Sequence, residues 1–84
     1  MWHNTNNQLY RALAFRDFNQ AFAFLTELAA LCAAVQHHPR WQQDSNKVEI
    51  WLTTHDAGNK ITVLDYRMAQ QIDLLAGKYY LVSS

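Results

Sequence analysis

From Asp17 to Gln36 apolar side chains recur every three or four residues, the spacing of one face of an α-helix. Phe18, Ala21, Phe22, Leu25, Leu28, Ala29, Cys32 and Val35 make that face and are expected in the core. Asp17 stands where an N-cap would, and Gln20, three residues on, can reach back to the cap amide. Ala23, Phe24, Ala30, Leu31 and Ala34 leave the remaining helix surface apolar as well, interrupted mainly by Glu27. Such a helix packs against more than one neighbour, and one of them can belong to another subunit.

The flanking segments follow a period of two. Leu9, Arg11, Leu13 and Phe15 share one parity and Tyr10, Ala12 and Ala14 the other, which reads as a strand. Asn4-Thr5-Asn6-Asn7 is turn chemistry, so a short strand before it and a turn near Asn6-Asn7 make a hairpin. Beyond the helix, Pro39 ends the helical run and pushes His38 toward extended geometry. Trp41–Asp44 and Lys47–Thr54 read as strand, with a break at Asp44-Ser45-Asn46. Val48, Ile50 and Leu52 should face the helices, and Trp51 lies on the opposite side with Glu49. A Trp there needs a cover, from a ligand or another chain. Ala57-Gly58-Asn59-Lys60 is a loop. Thr62 then caps a second helix with Asp65 as its box partner; Leu64, Met68, Ile72 and Leu75 form its core stripe and Gly77 its C-cap. Tyr79, Tyr80, Leu81 and Val82 can add a last strand. The order predicts a two-layer α+β domain, one antiparallel sheet with helices packed on one face.

Composition narrows the setting. Eighty-four residues make one small domain, residues 1–84, of a size at which a core alone gives marginal stability. A lone cysteine, Cys32, closes no intrachain disulfide, and its place on the core face makes it a small buried hydrophobe. A partner chain is the favoured source of extra stability, so a homo-oligomer is expected. Seven basic and seven acidic residues cancel and are scattered. That pattern offers no basic stripe for nucleic acid and no polybasic run for a membrane. No signal peptide is read at Met1-Trp2-His3-Asn4, and no apolar run is judged long enough to span a bilayer. A reducing, cytoplasmic setting is expected.

Candidate chemistry concentrates in two segments, Gln36-His37-His38-Pro39-Arg40-Trp41 and Thr53-Thr54-His55-Asp56. They hold three of the four histidines, and imidazole is the side chain best placed to take and give a proton near neutral pH. Two such groups on opposite sides of a substrate satisfy the requirement for adding or eliminating water. From residue types alone, a structural His-His-Pro turn stays open, and so does a three-histidine zinc site, although adjacent histidines converge poorly on one ion. Asp65 is explained by capping, and the start of its helix is also within reach of the site.

Several motifs together point to a family. Phe15-Arg16-Asp17-Phe18-Asn19-Gln20-Ala21-Phe22, His37-His38-Pro39-Arg40-Trp41, Asn46-Lys47-Val48, Leu52-Thr53-Thr54-His55-Asp56, Ile61-Thr62 and Asp65 follow one another at spacings that resemble the pterin-4a-carbinolamine dehydratases. The resemblance runs from about Trp2 to Ala76. It implies a four-stranded antiparallel sheet with helices on one face, and dimers or tetramers. It also implies dehydration of 4a-hydroxytetrahydropterin to quinonoid dihydropterin without metal or organic cofactor. Carried over by motif, His37, His38 and His55 would be catalytic, with His38 as base and His55 as acid. Gln36, Trp41, Thr53, Thr54, Asp56 and Asp65 would contact the pterin, partly through backbone groups. The alternative is a weak or inactive member of the family acting as a protein-interaction module.

The chain departs from the family pattern in four places. Ala33 replaces a polar residue four before the first histidine, and so cannot orient an imidazole. Ser45 stands where an aromatic is usual, which bears on pocket shape. The loop between His55 and Asp65 is one residue longer than the commonest form. The chain starts at the family's Trp without the helix that precedes it.

Overall fold

The computed structural model describes residues 1–79 and 81–83. Strands β1 (His3–Thr5) and β2 (Gln8–Phe15) form the first hairpin, turned through Asn6 and Asn7, both in the left-handed region with φ of 51° and 61°. Helix α1 (Phe18–Val35) follows, then β3 (Arg40–Asp44), β4 (Lys47–Leu52), a single 3-10 turn (His55–Ala57), α2 (Val63–Ala76) and β5 (Leu81–Ser83). The expected strand break at Asp44-Ser45-Asn46 is a second hairpin turn, with Ser45 at φ 57°. Of the tail residues expected to add a strand, Leu81 and Val82 lie in β5, Tyr79 precedes it, and Tyr80 lies outside the described residues.

The sheet runs β1-β2-β4-β3 with every pair antiparallel. Strand β5 pairs with Ala14 and Phe15 on the edge of β2 that β1 leaves open, so the sheet is four strands wide. Both helices pack on one face of it, as the pattern predicts. Leu9, Leu13 and Phe15 from β2 and Val48, Ile50 and Leu52 from β4 meet Ala21, Phe24, Leu25, Leu28 and Cys32 from α1. Met68, Ala69, Ile72 and Ala76 come from α2. Phe15 and Phe24 are both 0% exposed, with ring centroids 4.9 Å apart. Arg11 shares the core parity of β2; its guanidinium pairs with Asp73 under α2, and the Trp2 indole donates to the same carboxylate at 2.8 Å.

Four expectations need correction. The buried stripe of α1 is Ala21, Phe24, Leu25, Leu28 and Cys32, so Phe24 enters the core while Phe18, Phe22, Ala29 and Val35 are exposed. A helix apolar on all sides carries no internal mark of which stripe faces the sheet. In α2, Leu64 is likewise exposed. Trp51 is covered by its own chain: the Arg40 guanidinium lies 4.0 Å over its ring and the Tyr10 ring 5.4 Å away, with Tyr10 donating to Glu49 at 2.6 Å. Finally, against the expectation that no apolar run is long enough, α1 is long and apolar enough, by length and composition, to cross a bilayer. Its five-residue stripe is instead packed on the sheet.

Candidate active site

The first site segment is placed by the end of α1. Asp17 caps the start of that helix, accepting from the Gln20 amide at 2.8 Å. At the other end Gln36 adopts the left-handed conformation, φ 55° and ψ 41°, and the His37 amide closes onto the Cys32 carbonyl at 3.3 Å. The helix thus stops at Val35, ahead of Pro39, because Gln36 reverses the backbone. That reversal carries His37 toward the start of α2. The second segment is the exit of β4. Thr54 donates its amide to the Lys60 carbonyl at 3.0 Å and accepts from the Ala57 and Asn59 amides at 3.3 and 3.1 Å. Gly58 and Asn59, at φ 78° and 60°, make the tight loop possible.

The two segments meet. Gln36, His37, His38, Thr53, Thr54, His55, Asp56 and Leu64 line one depression of about 240 Å³. Asp65, expected as a pterin contact, is not on the lining: it is 0% exposed behind His37 and Thr54, and binds three donors. Its Oδ1 accepts from His37 Nε2–H at 2.6 Å; its Oδ2 accepts from the Thr54 hydroxyl at 2.8 Å and from the Thr62 amide at 2.9 Å. A carboxylate offers only acceptors, so His37 carries its proton on Nε2 and its Nδ1 is left to exchange protons with a ligand. On His55, Nδ1 bonds Asn59 Oδ1 at 2.7 Å, so that ring carries Nδ1–H and leaves Nε2. The two imidazoles are therefore held in opposite tautomers at one depression.

The remaining sequence-predicted residues fall differently. His38 is exposed, without an orienting side chain among the described residues. Trp41 lies in a separate depression of about 550 Å³ with Phe22, Leu25, Thr26, Ala29 and Gln43. Ala33 leaves no gap in the support of His37, because the carboxylate comes from Asp65 on α2. Ser45 sits in the hairpin turn at the other end of β4 from Thr53, away from the depression. Leu64, Thr62 and Asn59 were missed as site residues. Only the Thr62-x-x-Asp65 spacing carried a signal for this corner, and it signalled a cap. Among the described residues no group of three His, Cys, Asp or Glu side chains is placed to hold a metal ion.

Comparison with known proteins bears on this geometry. Residues 1–75 match the family model described as pterin 4 alpha carbinolamine dehydratase. The chain belongs to that family. A Synechococcus sp. (strain WH7803) protein, provisionally named a pterin-4-alpha-carbinolamine dehydratase, is 46% identical over 74 residues, covering 88% of this chain and 78% of its own. A Bordetella avium (strain 197N) protein with the same provisional name is 42% identical over 76 residues, covering 90% and 69%. Among solved structures, a transcriptional coactivator/pterin dehydratase from Brucella melitensis superposes with a TM-score of 0.83 at 32% identity, covering 89% of this chain and 81% of that one. A pterin dehydratase-like protein described as a RuBisCO assembly factor in the alpha-carboxysome superposes with a TM-score of 0.76 at 27% identity, covering 92% and 88%. The dehydratase fold thus spans nearly the whole described chain, and the histidine depression lies within the matched residues.

Proposed function

We propose that this protein dehydrates a 4a-hydroxytetrahydropterin to the quinonoid dihydropterin, with His37 and His55 as the proton-transferring pair. The observation that carries the reading is the pair of imidazoles held in opposite tautomers, His37 by buried Asp65 and His55 by Asn59, on one depression. His37 Nδ1 takes a proton from the pterin ring. A protonated His55 gives one to the 4a-hydroxyl, the C4a–O bond breaks and water leaves. The roles differ from those the resemblance implied, since His38 lacks the orienting partner that His37 has. His38, Gln36, Thr53 and Asp56 flank the ligand.

The test is turnover of the carbinolamine. General acid–base groups contribute about 10²–10⁴-fold, so His37→Ala and His55→Ala should each lose about that much, and His38→Ala less. A wild-type rate equal to the spontaneous one would overturn the reading. A second reading, an interaction module without turnover, is favoured by the structural neighbour described as an assembly factor and by the exposed Phe18, Phe22 and Val35 on α1. It predicts no pterin binding by titration calorimetry.

A homo-oligomer fits both readings. Strand β3 is an edge of the sheet among the described residues, bonded to β4 alone. An antiparallel copy centred on Gln42 would set Arg40 opposite the second copy's Asp44, and Asp44 opposite its Arg40. Opposite charges facing each other across a strand pair are stabilising. The same pairing would bring a second chain beside Trp41 and the exposed rings of α1.

A further inference from the structure

The resemblance counts Thr54 among the pterin contacts, but its polar groups are already spent on the protein. Its amide is bonded to Lys60 and its carbonyl to Ala57 and Asn59. Its hydroxyl lies 2.8 Å from Asp65 Oδ2 and 2.7 Å from the Thr62 hydroxyl, and the residue is 8% exposed. A hydroxyl has one proton to give, and the carboxylate can only accept, so Thr54 donates to Asp65. It follows that Thr62 donates to Thr54, while the Thr62 oxygen accepts from the Leu64 amide at 3.3 Å. The protons run in one direction: Leu64 amide, Thr62 hydroxyl, Thr54 hydroxyl, Asp65 Oδ2. The Thr62 amide fixes the same oxygen from a second side. Both bonds hold the carboxylate plane, and the other oxygen, Oδ1, is thereby aimed at His37 Nε2.

We propose that Thr54 is a positioning residue for catalysis: through Asp65 it holds His37 in the Nε2–H tautomer, and it makes no hydrogen bond to the substrate. Without the Thr54 hydroxyl, Asp65 keeps one bond to Oδ2 and can rotate, and His37 loses its fixed acceptor. Nδ1 is then protonated in part of the molecules, and the proton-accepting nitrogen is missing from them. The proposal deepens the dehydratase reading and rests on it for its kinetic arm, while its spectroscopic arm needs no turnover.

The experiment compares wild type, Thr54→Val and Thr54→Ser. Thr54→Val keeps the shape and removes the hydroxyl; Thr54→Ser keeps the hydroxyl. Nitrogen-15 NMR of the histidine rings, at a pH where they are neutral, reads the tautomer directly. The expected result is an Nε2–H tautomer for His37 in wild type and Thr54→Ser, and a mixture in Thr54→Val. In carbinolamine turnover, Thr54→Val should lower kcat about ten-fold with KM within two-fold, and Thr54→Ser should restore kcat to within about three-fold. A single Nε2–H tautomer with undiminished kcat in Thr54→Val would overturn the proposal, as would a rise in KM alone, which marks a substrate contact. If Thr54→Val does not fold, wild type still decides, because an Nδ1–H tautomer on its neutral His37 contradicts the proton chain. A wild type without turnover, with the expected tautomers in all three proteins, would remove the dehydratase reading and leave standing the hold of Thr54 on the His37 tautomer.

Discussion

Asp65 joins two jobs in one side chain. It closes the capping box at the start of α2 and anchors His37, with no exposure to water. In Asp65→Asn an amide N–H would face groups that themselves donate, and buried groups left unpaired cost about 1–3 kcal/mol each. Asn should therefore lower both stability, by a few kcal/mol in urea unfolding, and carbinolamine turnover, by at least ten-fold. Cys32 gives a second residue-level prediction. Burial pushes its thiol from the ordinary 9.0 up to about 11. The unfolded thiol ionises first as pH rises, so folded stability should be full below pH 9 and decline between 9 and 11. Tyr10 and Tyr79 act with the same sign, because hydrogen bonds to Glu49 and Glu27 raise their phenols. Cys32→Ala should therefore show a shallower fall in melting temperature over that range than wild type. The folded protein should react slowly with thiol reagents at neutral pH.

At the scale of elements, α1 decides how the two layers meet. Its buried stripe includes Phe24 at 0% exposure, whereas Phe22, two residues earlier, is 57% exposed. Truncating a buried Phe costs about 3–5 kcal/mol, and an exposed one usually within about 0.5. Phe24→Ala should accordingly lose most of the stability of so small a domain, and Phe22→Ala little, when both are unfolded in urea under dilute conditions. A larger loss for Phe22→Ala than for Phe24→Ala would mean that α1 is seated as the sequence pattern suggested. The capped starts of both helices were legible: Asp17 accepts from the Gln20 amide, and the full reciprocal box forms at Thr62 and Asp65. The first hairpin was legible from turn residues and alternation, whereas the second was legible only as a break in a strand at Asp44-Ser45-Asn46. The stop of α1 at Gln36 was legible as the end of the helical run, but its cause was not, since Gln36 in the left-handed region is a choice of backbone rather than of residue type.

At the scale of the whole molecule, strand β3 is an open edge among the described residues, and α1 lies beside it: Gln43 donates to the Phe18 carbonyl, and Phe22 lines one depression with Trp41 and Gln43. If a second copy pairs there, Arg40→Glu should place like charges opposite each other and weaken the dimer at least ten-fold in sedimentation equilibrium. The swap Arg40→Glu with Asp44→Arg should restore it. A wild type that sediments as a monomer at micromolar concentration would remove this interface. Seven of the nine residues singled out as the candidate site, all but Trp41 and Asp65, line one depression together with Leu64. Their convergence was readable as a hypothesis because histidines are few and the motif order is specific.

Two periods and a few caps were enough to determine an α+β domain with helices on one face, since burying one parity of each strand allows little else. The same residues, in the same order, determined the family. Which histidine works with which partner was decided only in three dimensions. His37 and Asp65 are 28 positions apart, and His55 reaches Asn59 only through a loop with two left-handed residues. Local pattern could name Asp65 as a cap because capping acts within one turn. Its bond to His37 depends on the reversal at Gln36 and on how α1 and α2 lie side by side over the sheet, and packing across the whole chain sets both.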